Sequence, residues 1–242
     1  VAPYAIRGGL WYQAESNCGK GEDPRFYAEK MRALMRGWRK AWDNPKMPIY
    51  YVQLPQFDSS NWVRMREEQR MVMNDPHTGM VVLHDLFPFG IHPPNKLDVA
   101  KRLALWPLSK VYDKKIVCSG PQYSHIEIQD KQLVIHFKPT SSKLKMGLKA
   151  DLHETLLLRK GELQGFEICD SQKSWFRAKA EIVGQTVVCS HEKVTHPIGV
   201  RYAWGKTMPS DFKWNLYNDA GLPASSFISD LKLAPFQLDG EP

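Results

Sequence analysis

Two short stretches of this chain hold side chains that can do chemistry together. The first, Gln13-Ala14-Glu15-Ser16-Asn17, offers two amides, a carboxylate and a hydroxyl within five residues. The second runs from Asp85 to His92, where the histidine is followed by Pro93 and Pro94 and so sits on stiff backbone. A histidine with a carboxylate partner is a general base for a hydroxyl nucleophile. The side-chain N–H groups of Gln13 or Asn17 can face the oxyanion that forms when an ester carbonyl is attacked, where losing one donor costs about 10²–10³ in rate. Asp85 is the nearest carboxylate upstream of His92; it either orients the imidazole or makes a loop or capping hydrogen bond.

The elements that must position these groups read as α/β. Residues 5–13 form an apolar run with paired glycines, Gly8 and Gly9, a buried strand that backbone or ligand approaches closely. Asp23 caps and Pro24 opens a helix over 24–42, with Met31, Leu34, Met35, Trp38 and Trp42 at helical spacing. A strand over 49–54, a helix over 62–73, a strand over 80–84 and a helix over 95–111 follow, the last kinked at Pro107. Such alternation predicts parallel strands joined by helical crossovers, and in such folds function gathers beyond the carboxyl ends of the strands. Gln13–Asn17 and Asp85–His92 lie after the first and third strands.

Beyond Lys115 short β runs replace helices: Ile116–Cys118, His125–Ile128, Leu133–Phe137, Leu156–Leu158, Phe166–Cys169, Ala180–Ile182, Thr186–Cys189 and Ile198–Tyr202. Divided by Gly, Asp and Ser turns, they predict an all-β, sandwich-like module over 114–242, following an α/β part over 1–113. Three parallel strands alone leave apolar edges unpaired, so the α/β sheet reads as incomplete, needing an upstream segment or a second chain.

Composition excludes other classes. With 242 residues, 43% hydrophobic and 24% charged, the chain is neither disordered nor repetitive. The net charge of +7 is spread without a run of five like charges, so neither nucleic acid nor a membrane surface is an expected partner. No apolar stretch approaches the roughly 18 residues of a membrane span. Cys18, Cys118, Cys169 and Cys189 lack metal-finger spacing and read as buried thiols, with disulfides among the last three as the alternative in an exported protein. His125, His136, His153, His191 and His196 show no H-x-H or H-E-x-x-H grouping, so no metal site is expected. Arg64, Arg66 and Arg70 with Glu67 and Glu68 read as an ion-paired, solvated helix face, Arg66 alternatively meeting a substrate carboxylate. Tyr202, Trp204, Trp214 and Tyr217 either stack on sugar faces or seal the β module.

Several blocks, in order, resemble one family. Trp11-Tyr-Gln-Ala-Glu-Ser-Asn17, Ile91-His-Pro-Pro-Asn-Lys96, Ser119-Gly-Pro121, Leu163-Gln-Gly-Phe-Glu167, Val200-Arg-Tyr-Ala-Trp204 and Asn215-Leu-Tyr-Asn218 are similar to the blocks of the sialate O-acetylesterases. These are carbohydrate esterases of the Ser-Gly-Asn-His hydrolase group. The resemblance implies an incomplete hydrolase-like parallel sheet with helices, then the smaller β module. It also implies cofactor-free hydrolysis of O-acetyl esters on sugars, typically acetylated sialic acids, by a serine assisted by histidine.

By position, His92 would then be the general base and Gln13 the oxyanion donor, with Asp85 as orienting acid and Glu15, Asn17 and Arg66 toward the substrate. The family's nucleophile block, a G-Q-S-N-like run, does not occur in this sequence, nor does a G-x-S-x-G elbow. The nucleophile is therefore expected from outside this chain, which alone should be inactive. A secreted, periplasmic or lysosomal location is implied by the family. The competing reading is a non-catalytic carbohydrate-binding or structural subunit.

Overall fold

The computed structural model describes residues 4–86, 90–150 and 152–237; the expected Phe87–Phe89 part of the loop before His92 lies outside them. The chain forms two compact units, Val1–Leu83 with Phe87–Ser119, and His84–Leu86 with Gly120–Pro242. The change from one to the other thus falls at Ser119/Gly120 rather than near residue 113, and three residues after the third strand go with the second unit.

The first unit is α/β. Strands β1 (Gly9–Trp11), β2 (Ile49–Val52) and β3 (Thr78–Val81) make a parallel sheet in the order β1-β2-β3. Helices α1 (Tyr27–Ala41) and α2 (Trp62–Val72) form the crossovers, and α3 (Lys96–Lys110) follows β3 and runs through Pro107. The expected cap is present: Asp23 accepts from the Arg25 N–H at 2.9 Å over a 3-10 turn at Pro24–Phe26 that leads into α1. Asn95 caps α3, its Oδ1 accepting from the Asp98 N–H at 3.0 Å.

All four residues of β2 are buried, because apolar groups cover both of its faces. Ile49 and Tyr51 join a core with Tyr27, Met31 and Met35 of α1 and Trp62, Met65 and Val72 of α2. On the other face, Tyr50 stacks on Trp106 of α3 with ring centroids 5.7 Å apart. The paired glycines allow close approach: a Cβ on Gly8 would stand 2.8 Å from the Pro48 carbonyl oxygen, and one on Gly9 would stand 2.8 Å from the Trp38 ring. β1 is not the buried strand expected. It is an edge, and its Leu10 is 58% exposed.

The charged stretch of α2 is corrected too. Arg64 pairs with Glu68 at 2.5 Å and Arg70 with Glu67 at 2.6 Å, yet both glutamates are 1% exposed and Arg66 is wholly buried, so this face is an interior one. Burial pushes Glu67 and Glu68 up from the ordinary carboxylate range, against the pull of their arginines.

The second unit is all-β. In chain order its strands are β4 (Tyr123–Gln129), β5 (Gln132–Phe137), β6 (Leu144–Leu148), β7 (Leu156–Leu158), β8 (Phe166–Asp170), β9 (Trp175–Arg177), β10 (Lys179–Val183), β11 (Thr186–Ser190), β12 (Pro197–Tyr202), β13 (Leu216–Asn218) and β14 (Phe227–Ile228). They make antiparallel sheets in the orders β10-β11-β5-β4, β14-β12-β8-β9 and β13-β6-β7. Leu133, Ile135, Val187 and Cys189 from the first sheet and Phe166, Ile168, Val200, Tyr202 and Phe227 from the second share one core, the packing of a sandwich. Ile116–Cys118, expected as a strand, is not one: the Ile116 N–H is taken up locally by the Lys114 carbonyl. Tyr202, Trp214 and Tyr217 are buried in this unit, so they pack its interior and do not present ring faces to a sugar.

All four cysteines are free, Cys118 half-buried and the others buried, so none of the possible disulfides forms. Among the described residues, no helix is long and apolar enough to cross a membrane.

Candidate active site

The residues that end β1 are tied into a rigid polar loop. Gln13 follows the strand, Ala14 is fully buried, and Glu15–Cys18 make a 3-10 turn. The Gln13 carbonyl accepts from the Tyr27 hydroxyl at 2.7 Å, which fixes its backbone to the first turn of α1. Its side-chain Nε2 donates to Asn17 Oδ1 at 2.8 Å. Asn17 Nδ2 in turn donates to Glu22 Oε2 at 3.1 Å, and Glu22 pairs with Lys30. Glu15 Oε2 accepts from the Ala14 N–H at 2.9 Å, and Asn61 donates to the Cys18 carbonyl at 3.0 Å to close the loop. The structure thus brings Gln13, Glu15 and Asn17 together, with one hydrogen of Gln13 Nε2 committed to Asn17 and the second not needed for that bond.

Two aromatic groups beside this loop carry buried donors. Trp11 Nε1 and Tyr12 Oη are shielded from solvent, and Tyr12 Oη makes no hydrogen bond among the described residues. Burial, with the Glu15 charge second, pushes the Tyr12 phenol up to about 12, so it stays a donor at neutral pH. A buried hydroxyl without a partner is costly and rare in a complete structure.

The histidine block lies in the same unit. Ile91 packs against the first unit's core, His92 is exposed, and Asn95 anchors the segment by capping α3. Lys96 links this block to the first, its Nζ lying 5.4 Å from the centroid of the Tyr12 ring.

Asp85 and Arg66 have surroundings of their own. Asp85 groups with the second unit, where its Oδ2 accepts from the buried Tyr217 hydroxyl at 3.0 Å. Its neighbour His84 is wholly buried there, with Nε2 2.7 Å from the Ala224 carbonyl oxygen; since a carbonyl only accepts, that nitrogen carries the proton. Arg66, expected to meet a substrate carboxylate, is 0% exposed, and burial lowers its guanidinium to about 10. An interior side chain of this kind is not presented to a ligand.

Sequence reasoning missed Tyr27 and Tyr12. Nothing in the spacing of Tyr27 announces a hydroxyl aimed at Gln13.

The class the fold defines is an α/β unit, with a strand-ending loop that fixes an amide beside a carboxylate on its parallel sheet, followed in the chain by a β sandwich. Residues 1–90 match the family model described as carbohydrate esterase, sialic acid-specific acetylesterase. The fold is similar to the crystal structure of a novel carbohydrate acetylesterase from Xanthomonas citri, with 31% identity and a TM-score of 0.82, over 94% of this chain and 51% of that one. This chain therefore spans about half the length of that protein. No curated protein matches it. The resemblance seen in the sequence blocks is thus matched by the family model over residues 1–90 and by the likeness to a carbohydrate acetylesterase over 94% of the chain.

Proposed function

We propose that this chain is part of a carbohydrate O-acetylesterase acting by serine-esterase chemistry, with acetylated sialic acids as the preferred substrates. The observation that carries the reading is the Gln13–Asn17 hydrogen bond in the family's own sequence block. It holds an amide donor at the carboxyl end of a parallel strand, where an oxyanion must be met.

A serine hydroxyl from an upstream segment or a second chain attacks the acetyl carbonyl, and His92 accepts its proton. Gln13 donates to the resulting oxyanion, and His92 returns the proton to the departing sugar hydroxyl. Water, deprotonated by His92, then attacks the acetyl-enzyme and releases acetate. Glu15 and Asn17 shape the same pocket. No cofactor takes part. The exposed edge at Leu10 supports a missing neighbour for β1, since another segment there would cover the edge. A secreted, periplasmic or lysosomal setting fits an enzyme of glycan acetyl esters.

The test is hydrolysis of p-nitrophenyl acetate and of O-acetylated sialic acid by the 242-residue chain, alone and with the upstream segment, each with His92→Ala as control. Turnover that appears only with the added segment and vanishes in His92→Ala is the expected result. Turnover by the chain alone would place a nucleophile within it, with Ser16 the first to replace. A full assembly whose activity survives His92→Ala would overturn the reading.

A further inference from the structure

The outward face of the β4–β5 hairpin carries a cluster that linear spacing does not reveal. Inward residues of this pair, Tyr123, Ile126, Leu133, Ile135 and Phe137, pack on the sandwich core. Strict alternation from Tyr123 would turn His125 inward as well. A register shift between Tyr123 and His125, with Ser124 as the extra residue, reverses this and sets His125 directly opposite His136. Glu127, two residues along β4, then shares their face.

The three side chains converge. The two imidazole rings are parallel within 3°, with centroids 4.4 Å apart. His136 Nε2 lies 3.3 Å and His125 Nε2 3.9 Å from Glu127 Oε1. One donor atom from each residue lies within 4.8 Å of the others. Donors about 2.1 Å from a tetrahedral zinc stand about 3.4 Å apart, so modest rotations of exposed side chains complete the geometry.

Two further details bear on a ligand. His136 Nε2 is shielded from solvent and makes no hydrogen bond, an available lone pair or N–H aimed at the cluster. Ser124 Oγ lies 3.1 Å from His125 Nδ1, leaving Nε2 as the nitrogen turned toward the cluster, the orienting role that outer partners play around metal-bound histidines.

We infer that His125, Glu127 and His136 form a binding site for one borderline divalent transition metal, with Zn²⁺ as its occupant. Two neutral imidazoles and one carboxylate suit Zn²⁺ far better than Mg²⁺ or Ca²⁺, which take oxygen donors. Three protein ligands leave a coordination position to water. The ion would also join edge strand β4 to β5 through side chains. The site lies wholly within the second unit and is independent of the proposed ester chemistry.

The experiment is calorimetric titration of the metal-free, reduced 242-residue chain with ZnCl₂, alongside His125→Ala, His136→Ala and Glu127→Gln. All three positions are at least partly exposed, and circular dichroism and melting without metal check that each variant folds. One equivalent should bind, each histidine variant weakening it by about tenfold or more and the glutamine variant weakening it less. Zn²⁺ should also raise the melting temperature of the parent chain and not that of His136→Ala. Mg²⁺ should not compete. No binding up to millimolar Zn²⁺, or binding that survives both histidine substitutions and so resides at the cysteines or elsewhere, would overturn the inference.

Discussion

Gln13 and Asn17 are joined side chain to side chain by a 2.8 Å hydrogen bond in which the glutamine amide is the donor. The consequence is that the rotamer of the proposed oxyanion donor is set by its neighbour four residues on, and through it by Glu22. In the assembly proposed to hydrolyse acetyl esters, Gln13→Ala should lower kcat by about 10²–10³. Asn17→Ala should lower it by about tenfold, since the donor remains but loses its orientation. Equal activity of Asn17→Ala and parent would show that Gln13 does not depend on this bond.

Tyr217 holds Asp85 in the second unit. Removing the hydroxyl leaves a buried carboxylate short of a donor, so Tyr217→Phe should destabilise by about 1–3 kcal/mol in urea denaturation.

Gly79 of β3 faces the indole of Trp106, and a Cβ there would come within 2.3 Å of a ring carbon. Trp106 is 5% exposed and stacked on Tyr50, so it has little room to yield. Gly79→Ala should cost about 1–3 kcal/mol or more by overpacking. Gly37, which has open space at its Cβ position, is the contrast: Gly37→Ala should stabilise α1 by roughly 0.5–1 kcal/mol.

The thiols should differ in reactivity. Burial raises Cys18, with Glu15 adding to it, to about 12, and burial also raises Cys169 and Cys189. Thiolate is the reactive form, so titration of the native chain with a disulfide reagent at neutral pH should modify Cys118 rapidly at most. All four should react once the chain is unfolded. Fast reaction of Cys189 in the native state would contradict its burial in the sandwich core.

Stability should depend on pH through Asp23. The side-chain hydrogen bond from Arg25 is the main cause holding this carboxyl below its ordinary range. A group depressed on folding binds fewer protons in the native state, so its contribution is complete above the ordinary carboxylate value and is lost as pH falls through the depressed one. Asp23→Ala should cost about 1 kcal/mol at neutral pH as a lost cap. The gap between variant and parent should narrow as pH falls below the ordinary carboxylate range.

Much of the first unit was legible because its signals are local. The Asp23-Pro24 cap of the turn that leads into α1, the β2 run and the periodicity of α1 depend on neighbours in sequence, and each element appears within a few residues of its expected place. The burial of Arg66, Glu67 and Glu68 was not legible, because a charged helix face looks solvated until one knows what packs on it. Short strands such as β9 and β14 escape periodicity altogether, being defined by partners rather than by their own two or three residues. In the site, the residue types of Gln13, Glu15 and Asn17 could be read from their block, whereas the Tyr27 hydroxyl that holds Gln13 comes from 14 residues away and had no sequence signature. The β4–β5 histidines are a sharper case. Eleven residues apart, they meet only because a bulge shifts the register of a hairpin.

The assignment of His84–Leu86 to the second unit bears on how this protein can be taken apart. A cut at Gly120 would yield a β fragment that lacks the histidine filling the space beside Trp214 and Tyr202, and would strip Ala224 and Tyr217 of the hydrogen bonds that His84 and Asp85 supply. The β module is therefore not a detachable cassette. Expressed as one contiguous stretch from Gly120, it would carry a hole in its core where His84 belongs.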